Sequence, residues 1–388
     1  MAATDLTSHT PPRAAPARAS ISRSRTFTRG IGRHVDACFG AVTLIVALAV
    51  LATIPLLQLL SLGYLLEASG RVARSGQVPD GLVGLRKAAR LGRLAVGIGL
   101  LMLPLWLASS LRFSSRLIDP GSRATRLWSV AVFVIALAVL FQIVTGCLRG
   151  GRLRDLLWPR PIVSLRALFR PGTYSHARDA VWEFTRGLHL PHYFSLGLRG
   201  FAGAVVWLAI PVGLLAIASR LRPGAAALAG IGGGALLGLV LLYLPFLQAW
   251  FAAENRFGAM FEFGVVRRQF RRAPIAYWIA LLFTLALAIP LYLLKIEIVP
   301  REAAWLPSLV FVVSIFPARL LAGWAVARGS HRRRSRWRPV RWVSRLAMLP
   351  VVALYVIVVY FTQYLSWYGA WSLLEQHAFL VPAPFLGY

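Results

Sequence analysis

Residues 127–148 read LWSVAVFVIALAVLFQIVTGCL, a run of 22 residues without one ionisable side chain. A bilayer core about 30 Å thick takes roughly 20 apolar residues wound as a helix at 1.5 Å per residue, so this run has the length and chemistry of a membrane span. In hydrocarbon each backbone N–H and C=O has to be satisfied within the segment, which makes it a helix and not a strand. The pattern recurs on both sides. Residues 37–66 and 94–111 are equally free of charge, and further apolar stretches cover 201–219, 223–253, 273–294, 303–327 and 346–368. The expected fold is therefore all-α: a polytopic transmembrane helical bundle of seven to eight spans.

Composition agrees. The 388-residue chain is 58% hydrophobic and 14% charged, with a mean hydropathy of +0.66, whereas soluble domains carry about a quarter charged residues. The 43 basic residues against 13 acidic ones could suggest a nucleic-acid partner. They are confined to the links between apolar runs, however, which is a topology signal, and no nucleic acid is expected. Lys87 and Lys295 are the only lysines, and an almost purely arginine set points to a GC-rich bacterial genome and a bacterial cytoplasmic membrane.

Loops 67–93, 149–200, 254–272 and 328–345 hold 28 basic residues, and the links on the other side hold 8. The richer set is expected to face the cytoplasm. Eight full crossings would then leave the N-terminal tail, residues 1–36, outside despite its six arginines. The alternative is a re-entrant hairpin at 37–66 broken near Pro55, with seven crossings and the tail inside; internal repetition favours eight. The tail is rich in Ala, Pro, Ser, Thr and Arg without hydrophobic periodicity and is expected to be disordered. The apolar run behind it is too long for a signal peptide, so no cleavage is expected. A second, C-terminal tail covers 375–388. Cys38 and Cys147 form neither a disulfide framework nor a metal-ligand pair and read as small packing residues.

Three short matches recur in order: Pro55-Leu56-Leu57-Gln58 with Pro245-Phe246-Leu247-Gln248, Pro104-Leu105-Trp106-Leu107 with Pro290-Leu291-Tyr292-Leu293, and Arg149-Gly150 with Arg328-Gly329. Four spans separate the partners, which predicts a parallel repeat of four plus four helices, a first half at 37–219 and a second at 220–374.

Pro55, Gln58, Glu67, Pro245, Gln248, Glu254 and Arg319 are the candidate structural or gating residues. Glu67 and Glu254 close repeat-related spans and are expected at the solvated headgroup level. Arg319 stands nine residues before Arg328, where an arginine costs roughly 2.5–3.5 kcal/mol to insert. Its guanidinium is expected to reach Glu254 or Glu262, with Glu254 the first choice, or to bond free backbone carbonyls. After the second Pro-x-Leu-Gln, at the end of the fifth span, Phe257, Met260, Phe261, Phe263, Val266 and Phe270 interleave with Arg256, Arg267, Arg268, Arg271 and Arg272, which suits a helix lying among anionic lipid headgroups. The glycine cluster Gly230, Gly232, Gly233 and Gly234 suits close helix packing.

Gly63-Tyr64-Leu65-Leu66 followed by Arg71, Arg74, Gly76 and Pro79 resembles the first half of an uncharacterised family of prokaryotic multi-pass membrane proteins, catalogued as a domain of unknown function. Pro245 through Glu254, with Phe257, Gly258, Phe261 and Phe270, resembles its second half. The resemblance covers roughly 37–329, apart from the insertion 149–200. It implies a polytopic membrane fold and supplies no reaction, substrate or site.

His176, Asp179, Glu183, His189 and His192 cluster in loop 149–200. Pro191 between the last two spoils a helical histidine pair, so a solvated loop is expected there and not a metal or catalytic site. The chain carries no GxSxG, Walker lysine loop or GxGxxG, and no cofactor is expected. The resulting expectation is a non-enzymatic, permease-like or membrane-organising component with membrane lipids as partners. The alternative is a membrane-surface enzyme acting on lipid through loop 149–200.

Overall fold

The computed structural model describes residues 20–150, 153–158, 162, 166, 172–218, 220–293, 305–365 and 373. The expectations for residues 1–19 and 375–388 lie outside these. The helices are α1 (Ser20–Thr53), α2 (Gln58–Ser75), α3 (Leu85–Ile118), α4 (Arg123–Leu148), α5 (Leu153–Leu157), α6 (Thr173–Arg186), α7 (Leu190–Ala218), α8 (Pro223–Glu254), α9 (Phe263–Arg272), α10 (Pro274–Leu293), α11 (Trp305–His331) and α12 (Arg338–Leu365). Short 3₁₀ turns follow α2 at Val78–Gly81 and α8 at Phe257–Phe261, and the described residues contain no strand. Among the described residues, eight helical stretches are long and apolar enough to cross a membrane.

The fold is the helical bundle the sequence predicts, with three local corrections. Helix begins at Ser20, inside the tail expected to be unstructured, and α3 extends well past 94–111 at both ends. The region 149–200 is not one long loop, because α6 occupies its centre and α7 starts at Leu190. Pro191 falls in the first turn of α7, where a missing N–H costs nothing.

The third correction concerns 37–66. The chain leaves helix at Ile54, Leu56 takes a left-handed backbone with φ 69°, and α2 starts at Gln58. Gln58 N–H donates to Ile54 O at 3.1 Å and Leu60 N–H to Leu57 O at 2.9 Å, so the turn keeps its backbone satisfied. The direction also reverses. Near the start of α1, Asp36 pairs with Arg93 at 2.8 Å and Gly40 packs on Leu85, both of α3. The end of α2 runs into the same α3 start through residues 76–84. Both ends of the α1–α2 pair therefore lie at one end of the bundle, which is the hairpin arrangement and not a single crossing.

α2 is the hub. It packs against α7, α8 and α11, and Leu62, Leu65, Leu66 and Val72 are buried with Leu241, Phe246 and Phe251 of α8 and Val312 and Val326 of α11. At the periphery, α3 and α4 present Trp106, Phe133 and Leu137 outward, each more than half exposed. A continuous apolar exterior of this kind suits lipid as solvent. Cys38 and Cys147 are on that exterior, not packed inside. The glycine run in α8 is a packing surface: Gly233 meets Leu214 and Leu215 of α7, and Gly234 meets Val356 of α12.

Both α2 and α8 end in a left-handed cap, Gly76 at φ 77° and Asn255 at φ 52°. Each cap is followed by one extended residue, Gln77 or Arg256, and then by the 3₁₀ turn. Glycine and asparagine tolerate that backbone best. In the register set by these caps Pro55 falls opposite Gly234, eleven residues from Pro245. The two prolines also differ locally, since Pro245 sits inside a continuous helix and Pro55 in the reversal.

Candidate functional site

The four arginine-rich segments converge on one end of the bundle. Arg74 on α2 donates to Ala252 O and Ala253 O at the end of α8, both at 3.0 Å. Lys87 on α3 donates to Gly187 O between α6 and α7. Arg199 of α7 donates to Asn255 Oδ1 at 2.8 Å, and Arg336 N–H donates to Arg271 O at 3.0 Å. Gln269 of α9 bonds Ser330 at the end of α11 at 3.0 Å.

Glu67 lies just inside this end, on the third turn of α2, and its side chain is 9% exposed. Placing a carboxylate there requires compensation. Arg71 Nε and Arg74 Nη2 reach Oε1 at 2.9 and 3.0 Å, and His192 Nε2 lies 3.3 Å from Oε2. The 67, 71, 74 spacing puts all three residues on one helix face. The expectation of a solvated headgroup-level Glu67 is therefore corrected, while Glu254 is exposed as expected. The i,i+4 and i,i+7 arginines were the signal for this cluster; nothing nearby in sequence signalled His192.

Deeper, Arg319 and Gln248 meet. Both are buried, and Arg319 Nη1 donates to Gln248 Oε1. The acidic partners expected for Arg319 are engaged elsewhere or exposed. Glu262 accepts from Trp250 Nε1 at 3.0 Å and Arg256 Nη2 at 2.5 Å, and these contacts, the indole first, hold its carboxyl below the usual carboxylate range. Gln58, at the hairpin turn, has a buried Oε1 without a hydrogen-bond partner among the described residues and does not join Gln248.

Backbone contacts hold α2 in place. A Cβ on Gly63 would overlap Tyr193 O of α7, one on Gly197 would overlap Leu59 O, and one on Gly323 of α11 would overlap Ser69 O. A Cβ on Gly70 would stand 2.6 Å from Ala252 O of α8. Only glycine permits these approaches; of the four, Gly63 alone stands in a motif legible in the sequence, and nothing there marked its packing role.

The remaining candidates separate. Arg267, Arg268 and Arg271 are exposed on α9, Arg272 is half-buried, and Val266 and Gln269 face inward, as an interfacial helix requires. Asp179 pairs with its neighbour Arg178 at 3.0 Å, and His189 Nδ1 faces Gly187 O at 3.0 Å. Only His192 of the 149–200 cluster turns toward Glu67. Among the described residues no group of three or more His, Cys, Asp or Glu side chains could hold a metal ion.

These features define the class: a helical integral membrane protein with one strongly basic end. Residues 179–299 match a family described as "Protein of unknown function (DUF4013)", so the stretch from α6 through α10 is similar to that family. The match takes in the Pro245–Phe270 motif and leaves the Gly63–Pro79 motif outside. No curated protein and no solved structure matches the chain.

Proposed function

We propose that the protein is a non-enzymatic, membrane-organising component of a bacterial cytoplasmic membrane, with its basic end in the cytoplasm collecting anionic lipid headgroups. The observation that carries this reading is the convergence of four arginine-rich segments on one end of the bundle. Each arginine near an anionic leaflet contributes about 1 kcal/mol of attraction. A fixed scaffold is favoured over a permease-like gate because the hub helix α2 touches α7, α8 and α11 at backbone distance, which leaves little freedom for sliding. Two pseudo-equivalent halves, α2 onward and α8 onward, belong to the same proposal. They are supported by the matching cap, extended residue and 3₁₀ turn at the ends of two parallel helices.

The test is reconstitution into phosphatidylethanolamine vesicles containing a minor share of fluorescent phosphatidylglycerol. Clustering of the labelled lipid, seen as self-quenching that salt reverses, with no chemical change in the lipid, is the expected result. Absence of clustering removes the proposal, and accumulation of a lipid product replaces it with the surface-enzyme reading.

A further inference from the structure

At the basic end, between α10 and α11, lies a cavity of about 170 Å³ with two unlike walls. Arg328, Arg332 and Arg336 form one wall; Ile275, Ile279 and Trp324 form the other. Arg328 closes the α11 helix and the other two stand on the extended link to α12, anchored where Arg336 N–H bonds Arg271 O. Arg328 also lies over the Trp324 ring at 5.3 Å. A second cavity of about 270 Å³ adjoins the first, shares Arg332 and Arg336, and adds Arg272, Arg333 and Arg334.

No acidic residue lines either cavity, and none of these six arginines forms an ion pair among the described residues. The sequence has no Asp or Glu from 263 to 296 or from 303 to 345, so no carboxylate of those segments can balance them. Guanidinium groups gathered without counter-charge repel one another, and an anion relieves that repulsion. The first turn of α10 also lines the cavity and carries no acidic side chain.

We infer that this cleft is a binding site for one anionic phospholipid, with the phosphodiester between Arg328, Arg332 and Arg336 and the acyl chains along Ile275 and Ile279. The volume of about 170 Å³ holds roughly six waters at about 30 Å³ each, the scale of a headgroup phosphate and not of an acyl chain. The apolar wall selects a lipid over free phosphate: Ile275 is 49% exposed at the start of a membrane-crossing helix, and Trp324 occupies the interfacial position that tryptophan favours. A planar guanidinium fork matches a phosphodiester in two-point contact.

This inference rests on the proposed function for the placement of the basic end in an anionic leaflet, but it concerns one stoichiometric site and not general attraction. The full chain is purified in detergent, titrated with phosphatidylglycerol and weighed intact by native mass spectrometry, alongside Arg328→Gln/Arg336→Gln and the control Arg123→Gln/Arg126→Gln. The control arginines are exposed at the start of α4, in a link away from the basic end, and line neither cavity.

The parent and the control should each retain one phosphatidylglycerol, and the cleft variant should need roughly thirtyfold more lipid for half occupancy. The cleft arginines are exposed and form no ion pair among the described residues, so the lipid-free variant should melt close to the parent, separating site loss from misfolding. Equal retention by the cleft variant overturns the inference. Displacement of the lipid by millimolar inorganic phosphate, or stabilisation by phosphate where phosphatidylglycerol gives none, also overturns it in favour of a free-anion site. One retained lipid without clustering in vesicles would remove the proposed function and leave the site standing.

Discussion

Across the α8–α11 contact, Arg319 donates from Nη1 to the side-chain oxygen of Gln248, so a buried cation is met by a neutral amide where a carboxylate was expected. An amide oxygen can accept this bond without itself bearing a charge that must be desolvated.

Arg319→Leu should remove the charged donor from Gln248 Oε1 and cost about 2 kcal/mol, the range for a hydrogen bond to a charged group. Adding Gln248→Leu should recover part of that loss, because replacing both partners by apolar groups is close to neutral. Thermal melting in detergent reads both effects. A single variant as stable as the parent contradicts the pairing.

Glu67 accepts from two arginines and faces the His192 ring, while each arginine bonds that one carboxylate, so the cluster is asymmetric. Glu67→Gln should lower stability by about 1–2 kcal/mol, discounted from the cost of breaking a fully buried pair because both arginines are nearly half exposed. Arg71→Gln should cost less, since Arg74 remains. Equal losses would show that Glu67 is not the hub.

Gly63→Ala and Gly323→Ala each push a methyl group into a carbonyl oxygen of a neighbouring helix. Losses of about 3 kcal/mol or more are expected, at the upper end for overpacking. Gly99→Ala and Gly213→Ala, where nothing lies within 4 Å, should gain about 0.5–1 kcal/mol of helix propensity. Monodispersity after extraction, together with melting, separates the two pairs; identical behaviour would remove the argument for backbone-distance packing.

The helical class was legible in residues 127–148, because span length and absence of charge follow directly from bilayer thickness. The reversal at 54–57 was legible only as an alternative. Pro104, Pro211, Pro245, Pro290, Pro317 and Pro350 all stay inside helices, and the left-handed backbone of Leu56 has no signature in a leucine. Arg319 and Gln248 were both singled out, yet the partner was missed, since span order does not fix how two helices are rotated toward each other. The glycines around α2 were hidden for the same reason: their meaning appears only when Tyr193 reaches Gly63, Ala252 reaches Gly70 and Gly323 reaches Ser69 from distant sequence.

Glu262 offers a pH test outside the spans. Its folded carboxyl titrates below the ordinary value of 4.5 through the Trp250 indole and then Arg256. Its contribution is therefore fully present above that value and is lost as pH falls through the lower, folded one. Trp250 fluorescence should step in that acid window in the parent and lose the step in Glu262→Gln. A step that survives in the variant assigns it to another group.

The central claim is that the start of α1 and all four arginine-rich segments share one face of the membrane, and cysteine accessibility tests it most directly. With Cys38 and Cys147 replaced by Ala, single cysteines are placed at Ser24, Ser75, Ser175 and Ser335, and at Gly121 and Arg220 in the opposite links. In bacterial spheroplasts a membrane-impermeant maleimide should label only Gly121→Cys and Arg220→Cys, with the other four reacting after permeabilisation. Labelling of Ser24→Cys in intact spheroplasts, or of two or more of the other basic-end sites, would contradict the hairpin and the face it defines.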